Sequence, residues 1–244
     1  MTLGRKFIRW GAAIVLTLFI GAALAHPAVG ILYQRQSNGD LTSLCTISIV
    51  AGEDVDVDAE YALVTAAHCV RRDLKFDDAS GEWRDNADWL VTFDEKSFTA
   101  VVTYRVGDTN LGYDLAVLVF DGPAPDVEPL RLGEWADVKL GERVINWANP
   151  LGIGLQRFEG YVSMLSLERP VKGANIWWKG NSVAIIAGAG GSSGSLILNE
   201  EDEVVGVLIG VIQSSFGSPF VVFVPVSKFA DFLENDTYGR PITQ

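Results

Sequence analysis

The sequence predicts an all-β protein, two antiparallel barrels of about equal strand count joined by a proline-rich crossover and followed by a short C-terminal helix. Three observations predict it. From Ile31 to Val224, short runs rich in β-branched and aromatic residues alternate with Gly, Asp, Asn and Pro clusters, with no interleaved helical period to support a parallel sheet. Between Asp121 and Gly141 the texture changes, with Pro123, Pro125 and Pro129 set among acidic residues and no sustained alternation. Helical spacing occurs only near the end, where Val226, Phe229 and Leu233 share one face.

The elements can be justified in chain order. Arg5, Lys6 and Arg9 precede an apolar run from Gly11 to Leu24 that ends in Ala23-Leu24-Ala25, the layout of a secretory signal peptide cut after Ala25. A retained anchor competes with this reading, because the run to Leu32 is broken only by His26 and Pro27. Either way residues 26 onward are expected outside the cytoplasm, secreted or periplasmic, or held at the membrane by the N-terminal segment. Residues 26–120 then form the first barrel. Its strand candidates are Leu44–Val50, Tyr61–Thr65, Trp89–Phe93, Ser97–Val106 and Leu115–Phe120. Residues 121–142 are the crossover. Residues 143–244 make the second barrel and terminal helix, with strands at Arg143–Trp147, Phe158–Leu165, Val183–Ile186, Ser195–Leu198, Val204–Ile212 and Phe220–Val224.

One insertion stands out. Glu53, Asp54, Asp56, Asp58 and Glu60 alternate with small apolar residues in the loop 52–60. A D-x-D-x-D run can hold calcium, but Ala59 stands where such a loop needs Gly and Thr65 where it needs Glu. The run reads better as a solvated acidic hairpin tip. No other metal or cofactor is expected. The 244-residue chain is 48% hydrophobic, enough for a real core, and its formal charge of −12 leaves no basic surface for a phosphate backbone. Nucleic-acid binding is therefore not expected. The two cysteines, Cys45 and Cys69, are an even pair in an exported chain, which favours a disulfide over a metal site.

Chemistry concentrates in three short sequences. With two histidines in the chain and His26 at the cleavage junction, His68 is the candidate for any neutral-pH general base in the folded body. It closes Leu63-Val-Thr-Ala-Ala-His-Cys69, at the end of an apolar strand. Asp114 opens the apolar run Leu115–Phe120; a buried carboxylate there needs a hydrogen-bond partner such as an imidazole, although an Asp at a strand entrance also simply closes turns. Gly188-Ala-Gly-Gly-Ser-Ser-Gly-Ser195 interrupts two apolar runs, and Gly191 and Gly194 around Ser193 permit a tight turn whose N–H groups converge as an oxyanion hole.

Thr65-Ala-Ala-His-Cys69, Asp114-Leu-Ala-Val117 and Gly191-Ser-Ser-Gly-Ser195, in that order, resemble the His, Asp and Ser motifs of trypsin-like serine proteases. Asn149-Pro-Leu-Gly-Ile-Gly154, Glu159-Gly-Tyr-Val-Ser163 and Val222-Phe-Val-Pro-Val226 make the likeness greatest to HtrA/Deg-type protease domains without a PDZ domain, over roughly residues 30 to 234. The resemblance implies two six-stranded barrels and a serine endopeptidase acting on proteins or peptides. Ser193 would be its nucleophile, His68 its base and Asp114 the acid orienting the base, through an acyl-enzyme. It further implies an oxyanion hole from the N–H groups of Gly191 and Ser193, and a Cys45–Cys69 disulfide bracing the histidine loop.

Ser192 stands where digestive-type relatives carry the Asp that pairs with a new N-terminus, so activation by that route is not expected. Ala184–Ala189 holds no charge, and Phe220–Phe223 brings bulk to the expected pocket wall, which points to a shallow apolar pocket with no preference for Lys or Arg. A catalytically silent member of the same fold that binds peptides or proteins is the alternative. A lipase reading fails on the missing last Gly of a G-x-S-x-G elbow.

Overall fold

Short apolar strands, several of them buried at consecutive positions, decide the layout of both halves, since each must pair on both edges to leave no open backbone. The computed structural model describes residues 26–71, 74–77, 82–85, 87–93, 97–170, 177–212 and 220–242. The expected leader, 1–25, lies outside them.

In the first half the strands are β1 (Val29–Arg35), β2 (Leu41–Ala51) and β3 (Tyr61–Thr65), then, after a one-turn helix α1 (Ala67–Val70) and a side hairpin β4 (Leu74–Asp77) and β5 (Glu82–Asp85), β6 (Trp89–Thr92), β7 (Phe98–Gly107) and β8 (Ala116–Phe120). Neighbours run antiparallel in the order β6-β1-β2-β3-β8, and β7 pairs with both β6 and β8, so six strands close into a ring. The second half comprises β9 (Arg143–Ala148), β10 (Gln156–Pro170), β11 (Trp177–Ile185), β12 (Leu196–Leu198), β13 (Val204–Ile212) and β14 (Phe220–Pro225), closed in the order β10-β11-β14-β13-β12-β9. The expected pair of six-stranded antiparallel barrels is thus what the chain forms. The second is filled by Val144, Val162, Ile197, Leu208, Val221 and Phe223, with Trp135 of the crossover set edge-on against Phe223 at 6.0 Å.

The terminal helix also forms: a 3-10 turn at Val226–Lys228 runs into α2 (Phe229–Glu234), whose Phe229 and Phe232 are buried. The chain beyond it does not stay with the second barrel. Residues Gly239–Pro241 form β15, which pairs with β7 of the first barrel. No periodic signal in so short a run announces that strand; β7 supplies the register.

The acidic loop is anchored into the fold. Glu53–Val55 is a 3-10 turn with Val55 fully buried, and Asp54 Oδ2 accepts the Leu132 N–H at 3.1 Å, tying the loop to the crossover.

Candidate active site

Three chain segments meet at the seam between the barrels, and each arrives there for a local reason. β3 is buried throughout its last four residues, Ala62 to Thr65, then Ala66 leaves the sheet and α1 begins, so His68 stands just past a buried strand end. Cys69 is bonded to Cys45 of β2 with Cα atoms 6.2 Å apart, which holds this turn against the neighbouring strand. Asp114 sits at the mouth of β8, only 2% exposed. Its Oδ1 accepts the His68 backbone N–H at 2.8 Å, and its Oδ2 lies 2.7 Å from His68 Nδ1. A buried carboxylate engaged on both oxygens by one residue is well compensated for its lost hydration.

The imidazole responds to that partner. Burial pulls the His68 pKa down, but the Asp114 charge and hydrogen bond together outweigh it and leave the pKa above the ordinary 6.5. With Nδ1 facing a carboxylate, Nδ1 carries the proton and Nε2 of the neutral ring is left as the acceptor.

The serine segment lies against this arrangement through close backbone packing. Gly194, at φ +85°, leaves no room for a side chain: a Cβ there would lie 2.0 Å from Thr65 Oγ1, 2.3 Å from the Thr46 carbonyl and 3.0 Å from the Ala66 nitrogen. Gly191, at φ +93°, is pressed likewise on the Asn149 carbonyl, 2.3 Å from where its Cβ would be. Ser193 between them is thereby placed beside the segment leading to His68, although the Ser193 hydroxyl and the imidazole make no hydrogen bond in this structure. In unliganded proteases that contact is often long and tightens only with substrate.

The turn orients its N–H groups unequally. Ser192 N–H goes to the Ala189 carbonyl at 3.0 Å, Gly194 N–H to Leu208 at 2.8 Å and Ser195 N–H to Ser192 at 3.1 Å. Among the described residues the N–H groups of Gly191 and Ser193 donate to no protein acceptor. The buried Ser192 supports the turn from inside, its Oγ accepting the Ala189 N–H at 3.2 Å.

Thr46 joins the three segments of this site, and nothing in its local sequence marks it out. Fully buried on β2, it donates its N–H to the Ser193 carbonyl at 2.9 Å and its hydroxyl to the Gly191 carbonyl at 2.9 Å, and the same hydroxyl accepts the Asn149 N–H at 3.0 Å. Its own carbonyl accepts the Thr65 hydroxyl at 2.8 Å. One threonine next to Cys45 thus links the serine turn, the histidine strand and the Asn149 loop.

The expected pocket wall needs correction in detail. The Phe223 ring packs over Gly206 in the barrel interior against Trp135, so it does not wall a pocket. Gly188 packs on the same core, where the methyls of Val221, Val211 and Leu208 would be 2.9, 3.4 and 3.7 Å from a Cβ. Among the described residues one group of potential metal ligands converges, Cys45, His68 and Cys69, and its two sulfurs are already joined to each other.

Two barrels with a His–Asp pair and a glycine-framed serine turn at their seam define the trypsin-like class. The profile of the trypsin-like peptidase domain family matches residues 49–207, and the chain belongs to that family of peptidases. No curated protein matches the sequence significantly. Among solved structures, the HtrA-type protease AlgW with a tripeptide superposes with a TM-score of 0.60 at 20% identity, over 88% of this chain and 61% of that one. An AlgW variant with a decapeptide gives 0.61 at 18%, over 87% and 64%. Rv3671c from M. tuberculosis H37Rv, as a mutant in an inactive form, gives 0.58 at 15%, over 84% of both chains. These matches share the fold; the present chain spans about three fifths of the AlgW chains.

Proposed function

We propose that the protein is an exported serine endopeptidase in which Ser193 attacks the scissile carbonyl, His68 takes and returns the proton, and Asp114 holds the imidazole. The observation that carries this reading is the Asp114 carboxylate bonded by both oxygens to His68 while the Gly191 and Ser193 N–H groups stay uncommitted on the serine turn. Such a base can accept the Ser193 proton through Nε2 as the acyl-enzyme forms. Two free N–H groups beside the nucleophile supply an oxyanion hole, where each donor is typically worth about 3 kcal/mol in the transition state.

Peptides or proteins are the substrates, a reading supported by family membership and by the peptide complexes of AlgW. The uncharged stretch Ala184–Ala189 favours small or medium apolar side chains in the primary pocket. The protease domain acts outside the cytoplasm, either released after Ala25 or tethered by residues 1–25. Ser192 replaces a carboxylate in the turn, so a freshly cut N-terminus has no partner there and the enzyme is competent without that event.

A fluorophosphonate probe tests the mechanism. Wild type is expected to label, and Ser193→Ala and His68→Ala to lose labelling. Equal labelling of wild type and Ser193→Ala removes Ser193 from the mechanism. No labelling of wild type returns the chain to a silent peptide-binding member of the fold.

A further inference from the structure

The loop that carries Asp114 is gripped from the second barrel by a group of residues outside the catalytic arrangement. Gly112, two positions before Asp114, has φ +82° and lies so close to β11 that a Cβ would be 2.5 Å from the Lys179 carbonyl and 3.0 Å from Lys228 Nζ. Its own carbonyl accepts two donors from the second half of the chain, Lys228 Nζ at 2.6 Å and Asn181 Nδ2 at 3.2 Å. Lys228 is 9% exposed and stands where the 3-10 turn after β14 meets α2. Its ammonium has three protons, and three acceptors surround it: the Gly112 carbonyl, the Lys179 carbonyl at 2.8 Å and the face of the Tyr113 ring, with Nζ 4.0 Å from the ring centroid.

Tyr113 is held at its other end as well. Its hydroxyl donates to Asp231 Oδ2 of α2 at 2.9 Å, and its ring stacks on Tyr238 of the returning tail at 4.5 Å. The residue next to Asp114 is therefore fixed at hydroxyl and ring face, and the residue before that is fixed at its carbonyl. None of these groups touches His68 or Ser193.

We infer that Lys228, acting through Gly112 and Tyr113, is a positioning residue that sets Asp114 on His68 from the opposite barrel. A lone buried ammonium is costly, and lysines are rarely buried without a specific partner. Here the ammonium replaces its water shell with two carbonyls and an aromatic face, and two of those three belong to the segment that ends in Asp114. Apolar residues could have packed the same interface without loss. The charged groups facing Lys228 are Asp231 on α2 and Lys179 on β11, with Tyr113 on the Asp114 loop; burial dominates them and pushes the lysine pKa down to about 8. Tyr113 is pushed in the opposite sense by burial and by Asp231.

This inference rests on the peptidase reading for its meaning but is tested without turnover. Asp114 is what raises the His68 pKa above 6.5, so a displaced Asp114 is read directly as a fall in that pKa. The experiment is an NMR pH titration of the His68 ring in wild type, Lys228→Met and Tyr113→Phe, alongside fluorophosphonate labelling rates from pH 5 to 9. The expected result is a lower His68 pKa in both variants, larger for Lys228→Met. Its labelling should slow by about 10- to 100-fold, the scale of an ångström-sized misplacement near the chemistry. Tyr113→Phe removes one hydroxyl and leaves the core filled, so it carries the test if Lys228→Met does not fold. An unchanged His68 pKa in every variant that folds overturns the inference. A shifted pKa in a wild-type background that never labels supports the positioning role and refutes the peptidase instead.

Discussion

Gly194→Ala tests the packing that places Ser193. At φ +85° an added Cβ is strained on its own account, by roughly 1–2 kcal/mol. The methyl must also fit where Thr65 Oγ1 is 2.0 Å away and the Thr46 carbonyl 2.3 Å away, inside any van der Waals contact. Both neighbours are fully buried and hydrogen-bonded to each other at 2.8 Å, so neither has space to retreat. Overpacking of this kind typically costs about 1–3 kcal/mol, and breaking the Thr65–Thr46 hydrogen bond about 1 kcal/mol more. The variant is expected about 3–6 kcal/mol less stable, which lowers the melting temperature by at least about 6 °C in a domain of this size. The same displacement moves Ser193 away from His68, slowing fluorophosphonate labelling by about 100-fold in the fraction that remains folded. Scanning calorimetry and labelling rates read the two effects separately. A Gly194→Ala protein that melts within about 2 °C of wild type and labels at a similar rate would show that the serine turn is not packed on Thr65 and Ala66 as described.

Asp114→Asn should cut labelling by about 10⁴-fold, because the amide cannot hold Nδ1–H in place and stabilise the imidazolium. The two histidines of the chain make its NMR titration simple to read. Burial, partly offset by Asp202, holds His26 below 6.5, whereas His68 titrates above 6.5 in wild type and below it in Asp114→Asn, where only burial remains. The sign for stability follows: since folding raises the His68 pKa, its contribution is fully present below pH 6.5 and fades as pH rises through the folded value. Asp114→Asn should lose that trend in urea titrations at pH 5 to 8. Reduction of Cys45–Cys69, which are 24 residues apart, should cost about 3 kcal/mol by loop entropy, or roughly 6–12 °C in melting temperature. It should also slow labelling, because Cys69 follows His68 directly; unchanged melting in reductant would argue against the bond.

Residue scarcity and local pattern explain what could be read from the sequence. His68 stood out because the folded body has no other imidazole apart from the junction residue His26, and Ser193 because glycines on both sides of it announce a turn that strands cannot make. Short β-rich runs between turn clusters, with the proline-rich crossover, announced two barrels, since composition and turn signals are local properties that survive in one dimension. The role of Asp114 was balanced between closing a turn and serving His68. The hydrogen bonds that distinguish the two readings come from a residue 46 positions away. Thr46 and Lys228 were illegible for the same reason: their hydrogen bonds reach Gly191, 145 residues on, and Gly112, 116 residues back. The return of β15 to β7 and the inward turn of Phe223 also depend on ring closure, which no short window contains. Sequence by itself determined which residue types stand in each motif and which runs form strands. Only the closed barrels decided which polar groups meet, because a hydrogen bond between distant segments exists only once both rings have fixed their register.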